Sequence, residues 1–222
     1  MKSIIVGSVP ITDEKSILIE KIAAVRNNGG IAIAADAGVL FFMENDIAPD
    51  CFIGDMDSLD EKITKDILRE RYPHMVIETC SPIKDDTDMA LAVEYAVKSG
   101  SRSIEIFGGI GGKRLSHMQA NIQLMHNYAM KGIEVSMHNA DTDMYIISEG
   151  MNKRMTFDES FEGSISIFSL SDKAKGVKIS GLKYEYEGEL SNEVSLGVSN
   201  SFIGKEATVE AEQGALLLML EK

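Results

Sequence analysis

The chain has 222 residues, of which 44% are hydrophobic and 26% charged, so it holds enough apolar material for a globular core. Its net charge of -13 argues against a general binder of nucleic-acid backbones. No apolar run approaches the length of a membrane span, and the first run stops at Gly7, too early for a signal peptide. We therefore expect a soluble, cytoplasmic protein.

Short apolar runs alternate with helical patterns from the N-terminus to about Gly150. The predicted strands cover residues 4–6, 31–35, 51–53, 75–77, 103–107, 133–137 and 144–147. The predicted helices start near residues 12–15 and stop at 27–30, cover 61–71 and 89–97, and follow residue 114 as far as Gly132. This alternation predicts a doubly wound α/β domain with a largely parallel sheet, whose strands end at one ligand-binding edge.

The pattern changes after about Gly150, where helical periodicity disappears. Short strand-like runs at residues 164–168, 176–179, 183–186, 207–210 and 216–219 are separated by Gly, Ser and Asn. We predict a small all-β sandwich here. The predicted domains are therefore 1–149, α/β and catalytic, and 150–222, all-β.

Two carboxylates, Asp55 and Asp57, follow the predicted strand 51–53 directly, in a turn that Gly54 can open. Asp36 likewise stands at the end of strand 31–35. Convergent carboxylates repel each other, and Mg²⁺ is a natural compensation because it prefers oxygen ligands and leaves positions for phosphate. An acidic turn in solvent is an equally simple interpretation of the pair taken alone.

A second acidic segment precedes the strong helix at 89–97 and reads Lys84, Asp85, Asp86, Thr87, Asp88. Thr87 is a good N-cap, and carboxylates suit the helix N-terminus, which explains part of this segment structurally. The helix does not explain Lys84 among the carboxylates. A second acidic site at the same edge of the sheet therefore favours a ligand.

A glycine-rich turn, Gly108–Gly112, joins strand 103–107 to the next helix and leads into Lys113 and Arg114. Such turns let backbone N–H groups approach an anion at a helix N-terminus. The turn matches neither the P-loop nor the complete dinucleotide pattern, so a tight turn with solvated basic residues is the alternative. Together with the acidic segments, it favours a magnesium–nucleotide site, with His117 in reach.

The combination of these segments resembles the bacterial thiamine pyrophosphokinase family. The resemblance rests on residues 54–58, 84–88 and 108–117, and continues through Gly181–Tyr184, Gly197–Ala207 and Gly214. It implies a reaction of ATP with thiamine to give thiamine diphosphate and AMP. It also implies an N-terminal catalytic domain, a C-terminal sandwich that helps to bind thiamine, and a homodimer with its sites at the interface.

The resemblance assigns roles to particular residues. Asp55, Asp57 and Asp88 would hold Mg²⁺ and serve catalysis, with Asp57 or Asp88 as the candidate proton acceptor. The groups expected around ATP are Asp36, Lys84, Thr87, Gly109, Gly112, Arg114 and His117. Ser199 and Asn200 would contact the pyrimidine of thiamine.

The chain departs from the family at Ser116, where Asp is usual, which puts full activity in question. It also has no Trp, so any aromatic contact to thiamine must come from Tyr or Phe. Two alternatives stay open: a metal-dependent nucleotide-sugar transferase, and a weakened relative that only binds thiamine or nucleotide. Cys51 and Cys80 match no zinc or CxxC pattern, and we expect buried free thiols, although a mutual disulfide is possible.

Overall fold

The computed structural model describes residues 1–56, 59–60, 63–78 and 86–222. The chain forms two compact units, one of Met1–Ile122 with Met137–Ala140 and one of Gln123–Ser136 with Asp141–Lys222. Within the described ranges, no helix is long and apolar enough to cross a membrane. The predicted boundary after residue 149 stays a prediction, and β7 (Thr142–Ser148) belongs to the second unit.

The first unit is built on five parallel strands in the order β5-β1-β2-β3-β4. The strands are β1 Lys2–Val6, β2 Ile31–Ala35, β3 Cys51–Ile53, β4 Val76–Glu78 and β5 Ser103–Phe107. The helices are α1 Lys15–Asn27, α2 Val39–Glu44, α3 Lys65–Arg71, α4 Asp88–Lys98 and α5 Leu115–Ala129, with a 3-10 turn at Asp36–Gly38. α5 continues into the second unit, and β6 (Glu134–His138) also spans both.

Helices cover both faces of the parallel sheet, because its strands are apolar on both sides. Ala32 and Ala34 of β2 pack with Leu18 and Ile22 of α1 in one core cluster. α4 packs against β1, β2 and β3 through the opposite face, where Cys51 meets Tyr95. The predicted doubly wound α/β fold is confirmed.

Glu105 is a buried charged side chain of this unit. Glu105 of β5 is 8% exposed and forms ion pairs with Lys2 and with Lys21, the latter at 2.8 Å. Burial alone would raise the pKa of Glu105, but the hydrogen bonds and charges of both lysines outweigh it and hold the pKa below its ordinary value. Glu105 therefore stays ionised and is satisfied by its partners.

The second unit contains two antiparallel sets of strands, as the predicted sandwich requires. One runs β12-β9-β14-β7 and the other β11-β10-β13-β8. Its further strands are β8 Arg154–Phe157, β9 Ser164–Ser169, β10 Lys173–Ser180, β11 Tyr186–Ser191, β12 Gly197–Ser201, β13 Ala207–Glu210 and β14 Ala215–Glu221. Inward residues of both sheets, such as Ile167, Leu218, Val177 and Val209, share one core cluster.

One predicted strand is wrong: residues 183–185 are not in a strand, and β11 starts only at Tyr186. The backbone N–H and C=O of Tyr184 bond to the side chain of Asn200, at 3.0 and 2.7 Å. Because that amide takes both groups, they are not part of a strand ladder. The sequence analysis also missed α2, β8 and β12.

Candidate functional site

A cavity of about 670 Å³ opens in the first unit at the carboxyl ends of β1, β2 and β5. The chain runs outward from β1 to β4 and then returns to place β5 on the other side of β1. Open α/β sheets bind ligands at such a reversal of strand order. The cavity is lined by residues 7–10, 35–37, 87–89, 108–109, 111–114, His117 and Asn121.

Three half-buried carboxylates meet at this edge and form what we call the carboxylate cluster: Asp36, Asp55 and Asp88. One oxygen from each lies within 4.8 Å of the other two. Asp36 follows β2, Asp55 follows β3, and Asp88 is the first residue of α4. Asp55 and Asp88 were predicted to share a site, whereas Asp36 was expected beside ATP, so its place in the cluster is an addition.

The backbone around Asp36 has an unusual conformation that turns this residue out of its strand. Asp36 has φ 52°, a left-handed value that Asp tolerates better than most residues. Gly54 packs so closely that an added Cβ would lie 3.1 Å from the Cα of Asp36. The Ser8 hydroxyl donates a hydrogen bond of 3.1 Å to Oδ2 of Asp36. Gly54 therefore packs against the backbone of Asp36, and Ser8 holds its carboxylate.

Asp88 is positioned by the start of α4. The Thr87 side chain accepts a hydrogen bond from the backbone N–H of Ala90 at 3.2 Å, so the predicted N-cap is confirmed. This cap fixes the first turn of the helix, in which Asp88 is the acidic residue. The buried side of the helix, beginning with Met89, anchors that turn on the sheet.

The glycine loop, residues 108–112, forms another wall of the cavity. Gly108, Gly111 and Gly112 have φ values of 68°, 84° and 78°, which side chains rarely adopt. An added Cβ on Gly108 would lie 2.6 Å from the carbonyl oxygen of Gly7. Glycine is thus required where this loop crosses the end of β1.

Basic side chains follow the glycine loop at the start of α5. Lys113, Arg114 and His117 line the cavity and are exposed. The Arg114 guanidinium lies 3.4 Å from Nε2 of His117, and because Arg can only donate, that nitrogen is the acceptor. The cavity thus presents the carboxylates of Asp36 and Asp88 and cations from the start of α5, and Asp55 lies next to these two carboxylates.

Ser199 and Asn200 lie in β12 of the second unit. Ser199 is exposed, has φ 56°, and its backbone N–H donates to the Ser166 hydroxyl at 3.1 Å. Asn200 is buried, and its side chain bonds to the backbone of Tyr184 and accepts from the N–H of Ser201 at 2.9 Å. Asn200 thus has a structural task whatever else it contacts.

Some predicted site residues lie outside the described residues, namely Asp57, Lys84 and Asp85. Their roles stay predictions. Conversely, the cavity includes Ser8, Val9 and Asn121, which the sequence analysis did not name. Ser8 and Val9 follow Gly7 just after the end of β1, a position that could have drawn attention to them. Asn121, inside a helix, carries no comparable signal.

The carboxylate cluster fits a hard cation in its chemistry. Mg²⁺ binds oxygen ligands at about 2.1 Å, so opposite ligands lie about 4.2 Å apart. The cluster oxygens lie within 4.8 Å of one another, close to that span. This separation is compatible with ligands of one ion.

The sequence matches two family models, described as thiamin pyrophosphokinase, catalytic domain, over residues 23–137 and thiamin pyrophosphokinase, vitamin B1 binding domain, over residues 153–216. A curated thiamine pyrophosphokinase of Bacillus subtilis is 26% identical over 195 residues, covering 84% of this chain and 85% of the relative.

Solved structures agree on the fold. A thiamine pyrophosphokinase structure from Bacillus subtilis has a TM-score of 0.82 at 22% identity and covers 100% of this chain and 99% of its own. One from Geobacillus thermodenitrificans has a TM-score of 0.77 at 24% identity, with 100% and 98% covered. One from Candida albicans has a TM-score of 0.75 at 15% identity and covers 100% of this chain and 90% of its own. Since the catalytic-domain model alone spans more than half of the chain, this protein belongs to the thiamine pyrophosphokinase family.

Proposed function

We propose that this protein transfers the pyrophosphoryl group of ATP to thiamine, giving thiamine diphosphate and AMP. The observation that carries the proposal is one cavity whose lining joins Asp36 and Asp88 of the carboxylate cluster to the glycine loop and the cations after it. A triphosphate binds to positive charge and to backbone N–H donors, and this edge of the sheet offers basic side chains and a glycine loop together. Family membership supplies the substrate pair.

ATP is proposed to bind along the glycine loop. Gly109 and Gly112 allow close approach of phosphate to the backbone, and Arg114 neutralises phosphate oxygens. His117 holds Arg114 in place through their 3.4 Å contact. The predicted contributions of Thr87 and Lys84 to the same ligand complete the set.

Asp55, Asp57 and Asp88 are the proposed Mg²⁺ ligands, and the position of Asp36 supports adding it to them. A bound Mg²⁺ would supply charge neutralisation on the phosphate oxygens. Without a cation, three half-buried carboxylates would repel a polyphosphate, so a net acidic cavity suits ATP only as its metal complex.

The chemical step is in-line attack of the thiamine hydroxyl on the β-phosphorus, with AMP as leaving group. The protein contributes mostly positioning and charge neutralisation, as in other phosphoryl transfers. The hydroxyl must lose a proton, and Asp57 or Asp88 is the proposed acceptor. Asp55 is proposed to contribute its carboxylate to the same acidic site.

The thiamine pyrimidine is proposed to contact Ser199 and Asn200. Ser199 is exposed, so its hydroxyl is accessible to a ligand. Asn200 supports Ser199 by fixing the local backbone through its own hydrogen bonds. Thiamine is a cation, which an acidic protein of net charge -13 attracts.

The protein is further proposed to be a cytoplasmic homodimer with its sites at the interface. Exposed apolar side chains support an assembly: Val194 and Leu196, just before the edge strand β12, are 59% and 62% exposed, and Val198 within it is 44% exposed. Sedimentation equilibrium tests this directly, and a monomer at micromolar concentration would contradict it.

One assay tests the reaction. Purified protein is incubated with Mg²⁺, ATP and thiamine, and the nucleotides and thiamine esters are separated. Equal amounts of AMP and thiamine diphosphate are expected. ADP as the product, or no thiamine-dependent turnover, would refute the proposal. The nucleotide-sugar alternative predicts turnover of a sugar nucleotide instead, and the two family-model matches do not favour it.

A further inference from the structure

The carbonyl groups that lead into the glycine loop are all held by donors. The N–H of Gly7 donates to the carbonyl of Phe107 at 2.7 Å, and the N–H of Val9 donates to that of Gly108 at 3.1 Å. These two bonds extend the contact between β1 and β5 beyond the strand ends. The next carbonyl, that of Gly109, receives a side chain instead.

That side chain is Asn121, on the second turn of α5. Its Nδ2 donates to the carbonyl oxygen of Gly109 at 3.0 Å. Asn121 is 6% exposed and yet lines the cavity. A buried amide on the wall of a ligand cavity, bonded to the backbone of a binding loop, has a more specific task than filling the core.

The glycine loop needs such a restraint. Three of its glycines, at 108, 111 and 112, have positive φ, and glycine is the residue with the greatest backbone freedom. An added Cβ on Gly109 would lie 2.8 Å from Ile106, so this residue sits against the strand. The bond from Asn121 ties the same residue to the helix.

We propose that Asn121 is a positioning residue for the triphosphate: it holds the glycine loop in its anion-accepting form. The inference rests on the proposed binding of ATP in this cavity. The bond keeps the partial negative charge of the Gly109 carbonyl paired. If the donor is lost, the carbonyl is left unpaired beside bound phosphate, and the loop gains alternative conformations.

Two variants and one matched control test this inference. Asn121→Asp has the same shape but places a carboxylate against the Gly109 carbonyl, and Asn121→Ala removes the donor without adding charge. Gln123→Glu makes the same amide-to-acid change at an exposed position of the same helix. The readout is the Kd of a non-hydrolysable ATP analogue with Mg²⁺, measured by calorimetry, with thermal unfolding as the check on folding.

We expect Asn121→Asp to raise the Kd of the analogue about 10- to 100-fold and Asn121→Ala about 3- to 10-fold, because a buried acceptor loses its donor. Gln123→Glu should stay within about twofold. The KM for thiamine should also stay within about twofold, since the bond supports the phosphate loop only. A general structural role would instead raise both constants together.

Folded Asn121 variants that bind the analogue like the wild type would overturn the inference. So would an equal rise in the KM for thiamine, or failure of both variants to fold, which would assign Asn121 to the core. If only Asn121→Asp fails to fold, Asn121→Ala decides. A wild type that binds the analogue but forms no AMP with thiamine would refute the proposed reaction and leave this comparison valid.

Discussion

Replacing Asp55 by Asn should stabilise the protein in the absence of metal and abolish its response to Mg²⁺. The three cluster carboxylates have oxygens within 4.8 Å of one another. Two unit charges at 4.8 Å repel by about 0.9 kcal/mol at a dielectric constant of 80 and by about 3.5 kcal/mol at 20. Asn has nearly the same shape as Asp and carries no charge, so it removes the repulsion with both neighbours.

The cluster is half-buried and open to solvent, so the lower part of that range applies. We expect the free energy of unfolding of the metal-free Asp55→Asn variant to rise by about 1–2 kcal/mol. For a chain of this length, that corresponds to an increase in Tm of about 2–8 °C. Thermal unfolding in a chelating buffer of low ionic strength measures this.

Added Mg²⁺ with the ATP analogue should raise the Tm of the wild type and leave that of Asp55→Asn nearly unchanged, because ligand stabilisation requires binding. Turnover with thiamine should be lost while the fold survives. Asp13→Asn is the matched control, because Asp13 is an exposed carboxylate. Its Tm response to Mg²⁺ with the analogue and its turnover with thiamine should stay as in the wild type. A variant with a lower metal-free Tm, or with wild-type activity, would remove Asp55 from the proposed metal site.

Three further predictions concern acid stability, the second unit and the departure from the family. Glu105→Gln should lower the free energy of unfolding at neutral pH, and its difference from the wild type should vanish on acidification. The pKa of Glu105 is depressed in the folded state, so its stabilisation is present above the unfolded pKa and is lost as pH falls through the folded pKa. Denaturation of both proteins between about pH 3 and 7 measures this. An unchanged difference at acidic pH would refute this. Asn200→Ala should cost about 2–4 kcal/mol because it leaves the part-buried N–H and C=O of Tyr184 without their partner, against less than about 0.5 kcal/mol for Ser199→Ala. Urea unfolding compares the two variants, and equal costs would argue against this role of Asn200. Ser116→Asp should raise kcat with thiamine if the natural site is impaired, and an unchanged rate would show that Ser116 suffices.

The parallel part of the fold was predictable because the sequence pattern is local there. Runs such as Ile31–Ala35 and Cys51–Ile53 are apolar without interruption, as strands covered on both faces require, and both matched the structure. α2 was missed because Val39–Glu44 is short and begins after Gly38 without a side-chain cap. No start signal marked it.

The second unit was less predictable because a side chain there takes backbone hydrogen bonds that a neighbouring strand would otherwise take. Lys183–Tyr186 resembles a strand by composition, but Asn200, far away in the sequence, takes the hydrogen bonds of Tyr184. The true strand β11 contains Gly188 and few apolar residues, so its pattern is weak. A contact between residues separated in the sequence decided the first outcome, and a weak local pattern decided the second.

The carboxylate cluster was only partly predictable, for a conformational reason. The sequence pattern placed Asp36, Asp55 and Asp88 at one edge of the sheet. The distances between their carboxylates depend on how the backbone turns after each strand. Asp36 turns through a left-handed conformation with φ 52°, and Gly54 leaves the space for it. The sequence offers Gly54 as the start of an acidic turn. In the structure, the same glycine packs against the backbone of Asp36, and the cluster draws on β2 as well as on β3 and α4.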